Sequence, residues 1–314
     1  FTFSDDWGND SITAVGTGTD TLDFSNVSTD LEITIAADGT VSVTDGTNVL
    51  QPISGIDEII GGTGNNRFIV EVGATFSGTL DGGAGGGTLD YSAYSTAVSV
   101  NLTAGTATGI GTISNMKNMI GGTGNDTLTG DADANEISGG AGNDNISGQG
   151  GMDTLSGGAG SNVFSVSDDW GDVSVIDTDL GNDTLDFSSV TADLSFTLRA
   201  DGSISITDGT NVLQADAGVD TIVGGTGSNL LDASGVKADL TVTFAAAGTV
   251  SVTDGTNTIQ SITGMDTIIG GTGDNDFVLE DGASFAGEIN AGEGGSNTLD
   301  YSAYTTAVEV NLTD

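Results

Sequence analysis

The sequence predicts an all-β chain wound as an elongated parallel β-solenoid of the β-roll or β-helix type. Three observations lead there. A nine-residue period runs through the middle of the chain, and larger copies of the same units recur on either side of it. Fifty-two glycines beside a single proline, Pro52, mark many tight turns without a proline-rich linker. The apolar residues are evenly spaced and largely β-branched, which suits strands.

Self-similarity at a fixed period comes before any local reading. SDDWG at 4–8 returns at 167–171, DTLDFS at 20–25 returns at 183–188, and VTDGTNVLQ at 43–51 aligns with ITDGTNVLQ at 206–214. A module then repeats over 184–230 and 231–277 at an offset of 46 residues, with Asp186, Asp208, Asp220 and Gly224 reappearing as Asp232, Asp254, Asp266 and Gly270. TLDYSAYSTAVSVNL at 88–102 matches TLDYSAYTTAVEVNL at 298–312. Three regions follow: degenerate modules over 1–120, tandem nonads over 121–165, and a second copy of the modules over 166–314. Residue 1 enters midway through one unit and residue 314 leaves midway through another, as expected of an internal window on a longer array.

From 121 to 165 the chain reads GGTGNDTLT, GDADANEIS, GGAGNDNIS, GQGGMDTLS and GGAGSNVFS. The eighth position is always apolar: Leu128, Ile137, Ile146, Leu155 and Phe164. The sixth is Asp126, Asn135, Asp144, Asp153 and Asn162. Degenerate nonads flank these, among them PISGIDEII at 52–60 before GGTGNNRFI at 61–69, and VGTGTDTLD at 15–23. The 46-residue repeat equals five nonads plus one residue, so most of the chain is expected to wind continuously with single-residue bulges.

A nonad divides into a turn and a short strand. Glycines at its first, second and fourth positions open backbone angles closed to other residues. The strand carries one inward apolar residue between small polar ones. Two nonads make one coil of 18 residues, and strands of successive coils lie parallel, about 4.8 Å apart. The expected core is one aliphatic layer thick.

The pattern G-G-x-G-x-D-x-U-x resembles the repeats-in-toxin (RTX, haemolysin-type calcium-binding) family. The resemblance implies a right-handed β-roll, in agreement with the usual hand of parallel crossovers. It also implies Ca²⁺ ions held between coils, and a secreted, extracellular setting. Gly121, Gly122, Gly124, Gly139, Gly140 and Gly142 occupy the carbonyl positions that such ions use.

Residues 18 apart stack on one edge. Asp126, Asp144 and Asn162 line the first edge; Lys117, Asn135 and Asp153 line the second. Carboxylates and carbonyls supply only oxygen, which suits Ca²⁺ with its six to eight ligands. Zinc would want His or Cys, and the chain has neither. Lys117 breaks the motif at its corner, where its ammonium can replace a cation. Asp131 and Asp133, in a nonad lacking two glycines, either add ligands or mark a distorted turn.

Elsewhere the sixth position is Asn66, Asn229 or Asn275, each 18 residues after Asn48, Asn211 or Asn257. A metal-free amide ladder is expected there. Asp57, Asp220 and Asp266 fall opposite Gly39, Gly202 and Gly248 in this register and are weaker metal candidates, as are Asp20 and Asp183. Trp7 and Trp170 are expected to cap a kink rather than to hold glycans. Tyr91, Tyr94, Tyr301 and Tyr304 are expected to cover a bulge or a wider coil.

Charge bounds the partners. Forty-five acidic residues stand against four basic ones, for a net charge of −41. Nucleic acid and anionic membrane surfaces are poor partners for such a chain, and no apolar run is long enough to insert into a bilayer. No signal peptide is read here, so targeting information is expected elsewhere if the product is secreted. An enzyme is disfavoured: without His or Cys there is no Ser-His-Asp triad and no thiolate nucleophile. The leading expectation is a calcium-stabilised structural segment of a giant adhesin, surface layer or filament. Its partners would be calcium and copies of itself or neighbouring repeats. The alternatives are a calcium-triggered secretion or folding tail of an RTX exoenzyme or toxin, and a glycan- or ice-binding solenoid.

Overall fold

The computed structural model describes residues 1–14, 18–176, 181–216, 218–246 and 248–311. The first residues of 15–23, residue 217 and the last residue of 298–312 lie outside the described residues. Among the described residues every regular element is a strand and none is a helix. The chain divides into two units, Phe1–Asn162 and Val163–Asp314.

In the first unit the chain passes back and forth between two largely parallel sheets. On one, Leu22 lies beside Ile59, Ile59 beside Leu80, and Leu80 beside Ile113. On the other, a row runs through Ile33, Phe68, Leu89, Met119, Ile137 and Leu155. All of these side chains are buried. Such rows arise because successive side chains of a strand alternate between faces: Leu31–Ile35 turns Leu31, Ile33 and Ile35 inward and Glu32 outward. Fully burying an aliphatic or phenyl side chain stabilises by about 1.5–3 kcal/mol.

Strict 18-residue winding holds over the tandem nonads of this unit, where Met119, Ile137 and Leu155 are in register and Leu128 lies beside Ile146. In the flanking modules an antiparallel meander takes the place of the expected single-residue bulges. Leu31–Ile35 pairs antiparallel with Val41–Thr44, which pairs antiparallel with Val49–Ile53. The module is a coil carrying an antiparallel meander, not five nonads with a bulge. The physical reason lies in its turn. Asp45 accepts N–H bonds from Thr47 (2.9 Å) and Asn48 (2.6 Å) and one from Asn48 Nδ2 (2.9 Å). Gly46 takes a φ of 87°, open to glycine. Burial alone would raise the Asp45 pKa, but the hydrogen bonds from Asn48, Thr47 and Thr29 outweigh it and hold it at about 2. The same bonds recur around Asp208 and Asp254.

The second unit repeats this plan. One sheet aligns Leu185, Ile222 and Ile262; the other aligns Phe196, Leu231, Ile268 and Ile289. Its two meanders lie in different sheets. Leu194–Leu198, Ile204–Thr207 and Val212–Ala215 extend one, and Leu240–Phe244, Val250–Thr253 and Thr258–Thr263 extend the other.

The single aliphatic layer is confined to the tandem nonads. Elsewhere strands such as Leu31–Ile35, Leu194–Leu198 and Leu240–Phe244 bury three side chains each, and the core includes Phe24, Phe68, Phe187, Phe196, Phe244 and Phe277. Trp170 is buried, edge-on to Phe187 at 5.8 Å between ring centres. Tyr91 and Tyr94 are buried edge-on to each other, at 5.1 Å. Tyr91 donates its hydroxyl to Thr108 O (2.6 Å) and Tyr94 to Glu71 O (3.0 Å).

Candidate metal centre

The first edge of the tandem nonads is a chain of side chain to backbone bonds between coils. Asp126 N–H donates to Asp144 Oδ1 (2.7 Å), and Asp144 N–H donates to Asn162 Oδ1 (3.0 Å). Each spans 18 residues, as the sequence predicts. Asp126 itself accepts from Val98 N (2.9 Å) and Gly122 N (2.7 Å). On the second edge Asn135 N–H donates to Asp153 Oδ1 (2.9 Å).

These bonds use one oxygen of each of Asp144 and Asp153. Oδ2 of either residue is buried and has no hydrogen-bond partner among the described residues. Burial raises both pKa values to about 6; for Asp144 the Asp126 charge adds to this, and for Asp153 the Asp131 charge does. A buried carboxylate oxygen without a donor costs free energy that a bound cation removes.

The surroundings of Oδ2 suit a hard ion. A Cβ on Gly139 would fall on Asp144 Oδ2 and Gly157 O, and one on Gly121 would fall on Asp126 Oδ2 and Gly139 O. Side-chain oxygen and next-coil carbonyl therefore converge beside the first glycine of the nonad. Gly140, at φ 105°, stands against Gly122 O in the same way, and Gly142 against Gly124 O. Among the described residues no three carboxylates cluster, so the remaining ligands would be backbone carbonyls. Ca²⁺ accepts such a set. Asp126, Asp144 and Asp153, with the carbonyls of Gly121, Gly122, Gly124, Gly139, Gly140 and Gly142, are the residues that would hold it.

Asn135 and Asn162 differ, because their amides already donate. Asn135 Nδ2 reaches Lys117 O (3.0 Å) and Asp131 Oδ1 (3.2 Å); Asn162 Nδ2 reaches Gly158 O (3.1 Å). Asp131 also accepts from Asp133 N (2.9 Å) and so closes the turn that replaces the missing glycines. Asp133 is exposed.

The meanders move the weaker candidates. Asp57 does not sit opposite Gly39, which forms the hairpin tip with a φ of 80°. Its Oδ2 accepts from Asp20 N (2.9 Å), 37 residues away. Asp220 accepts from Asp183 N (3.3 Å) and Asp266 from Asn229 N (2.8 Å) at the same separation, rather than meeting Gly202 and Gly248. The expected Asn48–Asn66 and Asn211–Asn229 ladders do not form either. Asn48 Oδ1 accepts from Gly8 N (2.9 Å) and Asn211 Oδ1 from Gly171 N (3.2 Å), tying SDDWG to the hairpin turn in both copies.

Two features escaped the sequence reading. Asp30, Asp193 and Asp239 each accept the N–H just before the sixth-position Asn, from Asn65, Ser228 and Asp274. The signal was an Asp-Leu pair recurring at 30–31, 193–194 and 239–240. Arg67 forms an ion pair with Asp90, whose carboxylate is buried; no repeat announces it, since Arg67 has no counterpart in the second copy.

A family model described as RTX calcium-binding nonapeptide repeat (4 copies) matches residues 53–74, 118–146, 147–168, 205–235 and 251–285. A search of the curated proteins found no match. The matched segments contain the tandem nonads and the three Asn-bearing GGTG units. The chain carries RTX calcium-binding nonapeptide repeats, and calcium is the ion such repeats bind.

Proposed function

We propose that this chain is an extracellular structural segment, set by calcium, of a giant adhesin, surface-layer or filament protein. One observation carries the reading: its polar turns are copies of one another. The TDGTN turn has the same hydrogen bonds at Asp45, Asp208 and Asp254, and Asp23, Asp90, Asp186, Asp232 and Asp300 each cap a corner by accepting the N–H of the Ser two residues on. A catalyst needs one distinctive constellation, whereas a scaffold needs repeating joints. Calcium is abundant outside cells and scarce in cytosol, so such a chain would stay loose before export and set after it.

Two measurements test this reading. Pulling single molecules with and without calcium should give a higher unfolding force in calcium. Antibody against this segment should label intact cells making the full gene product, or find it in their medium. Equal forces in both conditions, or labelling only after permeabilisation, would overturn the proposal.

A further inference from the structure

The space beside the first glycine of a nonad is filled in two chemically opposite ways. In the tandem nonads a Cβ on Gly139 would meet Asp144 Oδ2 and Gly157 O: two oxygens, no proton. At Gly61 the same Cβ would meet Gly82 O and Asn66 Nδ2, an oxygen and a donor. The backbone framing is shared. Gly122 N–H donates to Asp126 Oδ2 (2.7 Å), and Gly62, Gly225 and Gly271 N–H donate to Asn66, Asn229 and Asn275 Oδ1 (3.2 Å each).

What the amide does there resembles what a cation would do. Asn66 Nδ2 donates to Gly62 O (3.1 Å) and to Gly82 O in the next coil (2.9 Å). Asn229 Nδ2 stands among Gly225 O (2.9 Å), Gly227 O (3.0 Å) and Gly264 O (2.8 Å). Asn275 Nδ2 has four oxygens about it: Gly271 O, Gly273 O and Ala291 O at 3.0 Å and Asn297 Oδ1 at 2.9 Å. An amide has two N–H bonds, so three or four acceptors exceed its protons. The oxygens converge on a positive centre, as ligands do around an ion. All three asparagines are buried, between 0% and 2% exposed.

We infer that the side-chain amides of Asn66, Asn229 and Asn275 stand in place of calcium, making these coils clasps that close without metal inside an otherwise calcium-dependent repeat. The inference rests on the calcium-stabilised reading above and divides its territory. Chelation opens the carboxylate edges at Asp126, Asp144 and Asp153, while the amide clasps hold. An Asn→Asp substitution at a clasp swaps the donor for an oxygen facing carbonyls, which repel it until an ion binds.

The test is hydrogen exchange on the full chain, in calcium and in EDTA at fixed ionic strength, with calorimetric counting of bound calcium. In the wild type, peptides over 61–70 and 224–232 should exchange equally in both conditions, while 121–162 speeds up at least about tenfold in EDTA. Asn229→Asp should exchange about tenfold faster at 224–232 in EDTA, recover in calcium, and bind one more ion. Asn66→Asp should do the same at 61–70, an independent check should the first variant fold poorly. Asn229→Ala should loosen 224–232 equally with and without calcium. Wild-type clasps that open in EDTA would overturn the inference, as would Asp variants that stay protected there or gain no ion. If 121–162 alone ignores EDTA, the calcium-set reading fails and the clasps stand.

Discussion

Asp144 takes the backbone N–H of Asp126 on one carboxylate oxygen, at 2.7 Å, and keeps the other buried with no hydrogen-bond partner among the described residues. Asp153 does the same beneath Asn135 on the opposite edge. The coils between them are thus held by carboxylates that are only half satisfied.

The first prediction concerns pH. Folding raises the Asp144 and Asp153 pKa values from 3.8 to about 6, so the folded metal-free chain binds protons more tightly than the unfolded one. Their contribution is fully favourable below about pH 4 and is lost as pH rises through about 6. Thermal melts in EDTA should therefore rise as pH falls from 7.5 toward 5. In calcium the sign reverses, because protons and the ion compete for the same oxygens. The double variant Asp144→Asn, Asp153→Asn should flatten both slopes; unchanged slopes would locate the titration elsewhere.

Asp144→Asn alone should lower the number of bound calcium ions and make 121–162 less sensitive to chelator. A site filled at a hundred times its Kd contributes about 2.7 kcal/mol, so the variant should lose roughly that much stability in calcium and little in EDTA. Denaturant melts in the two conditions, with a calcium titration, check it.

Gly139→Ala places a methyl group on Asp144 Oδ2 and on the backbone oxygen of Gly157. Overpacking of this kind costs about 1–3 kcal/mol, and calcium affinity should fall with it. Gly46→Ala is the contrast. Its Cβ meets nothing within 4 Å, so only backbone strain at φ 87° is felt. The cost there should be about 1 kcal/mol, with calcium binding unchanged.

Phe68→Ala removes a fully buried ring between Ile33 and Leu89 and should cost about 3–5 kcal/mol. Calcium stoichiometry should not change, because the tandem nonads do not contain this ring. Urea melts and calorimetry on the same sample separate the two effects.

The nine-residue period made the strands, the parallel rows and the edge stacking of Asp126 on Asp144 legible, because a repeat states its own register. What it hid was the meander. VSVT and TDGTN at 41–48 fit a loose nonad as readily as a hairpin, since both place apolar residues before a glycine turn. Only the pairing of Leu31–Ile35 with Val41–Thr44 decides between them. That one ambiguity displaced every partner assigned across a module, so Asp57 met Asp20 instead of Gly39 and Asn48 met Gly8 instead of Asn66. Asn66 was expected in a ladder with a second amide, but its own amide closes on carbonyls instead.

The two meanders of the second unit lie in opposite sheets, Leu194–Leu198 opening one and Leu240–Phe244 the other. A 46-residue module therefore advances the chain by an odd number of half-turns. Length and orientation are coupled by parity. Duplicating one module would hand every later hairpin to the other face, whereas duplicating a pair would restore the original phase. An array that must keep one face toward a partner can grow or shrink in steps of two modules, and a single gain or loss turns everything beyond it over.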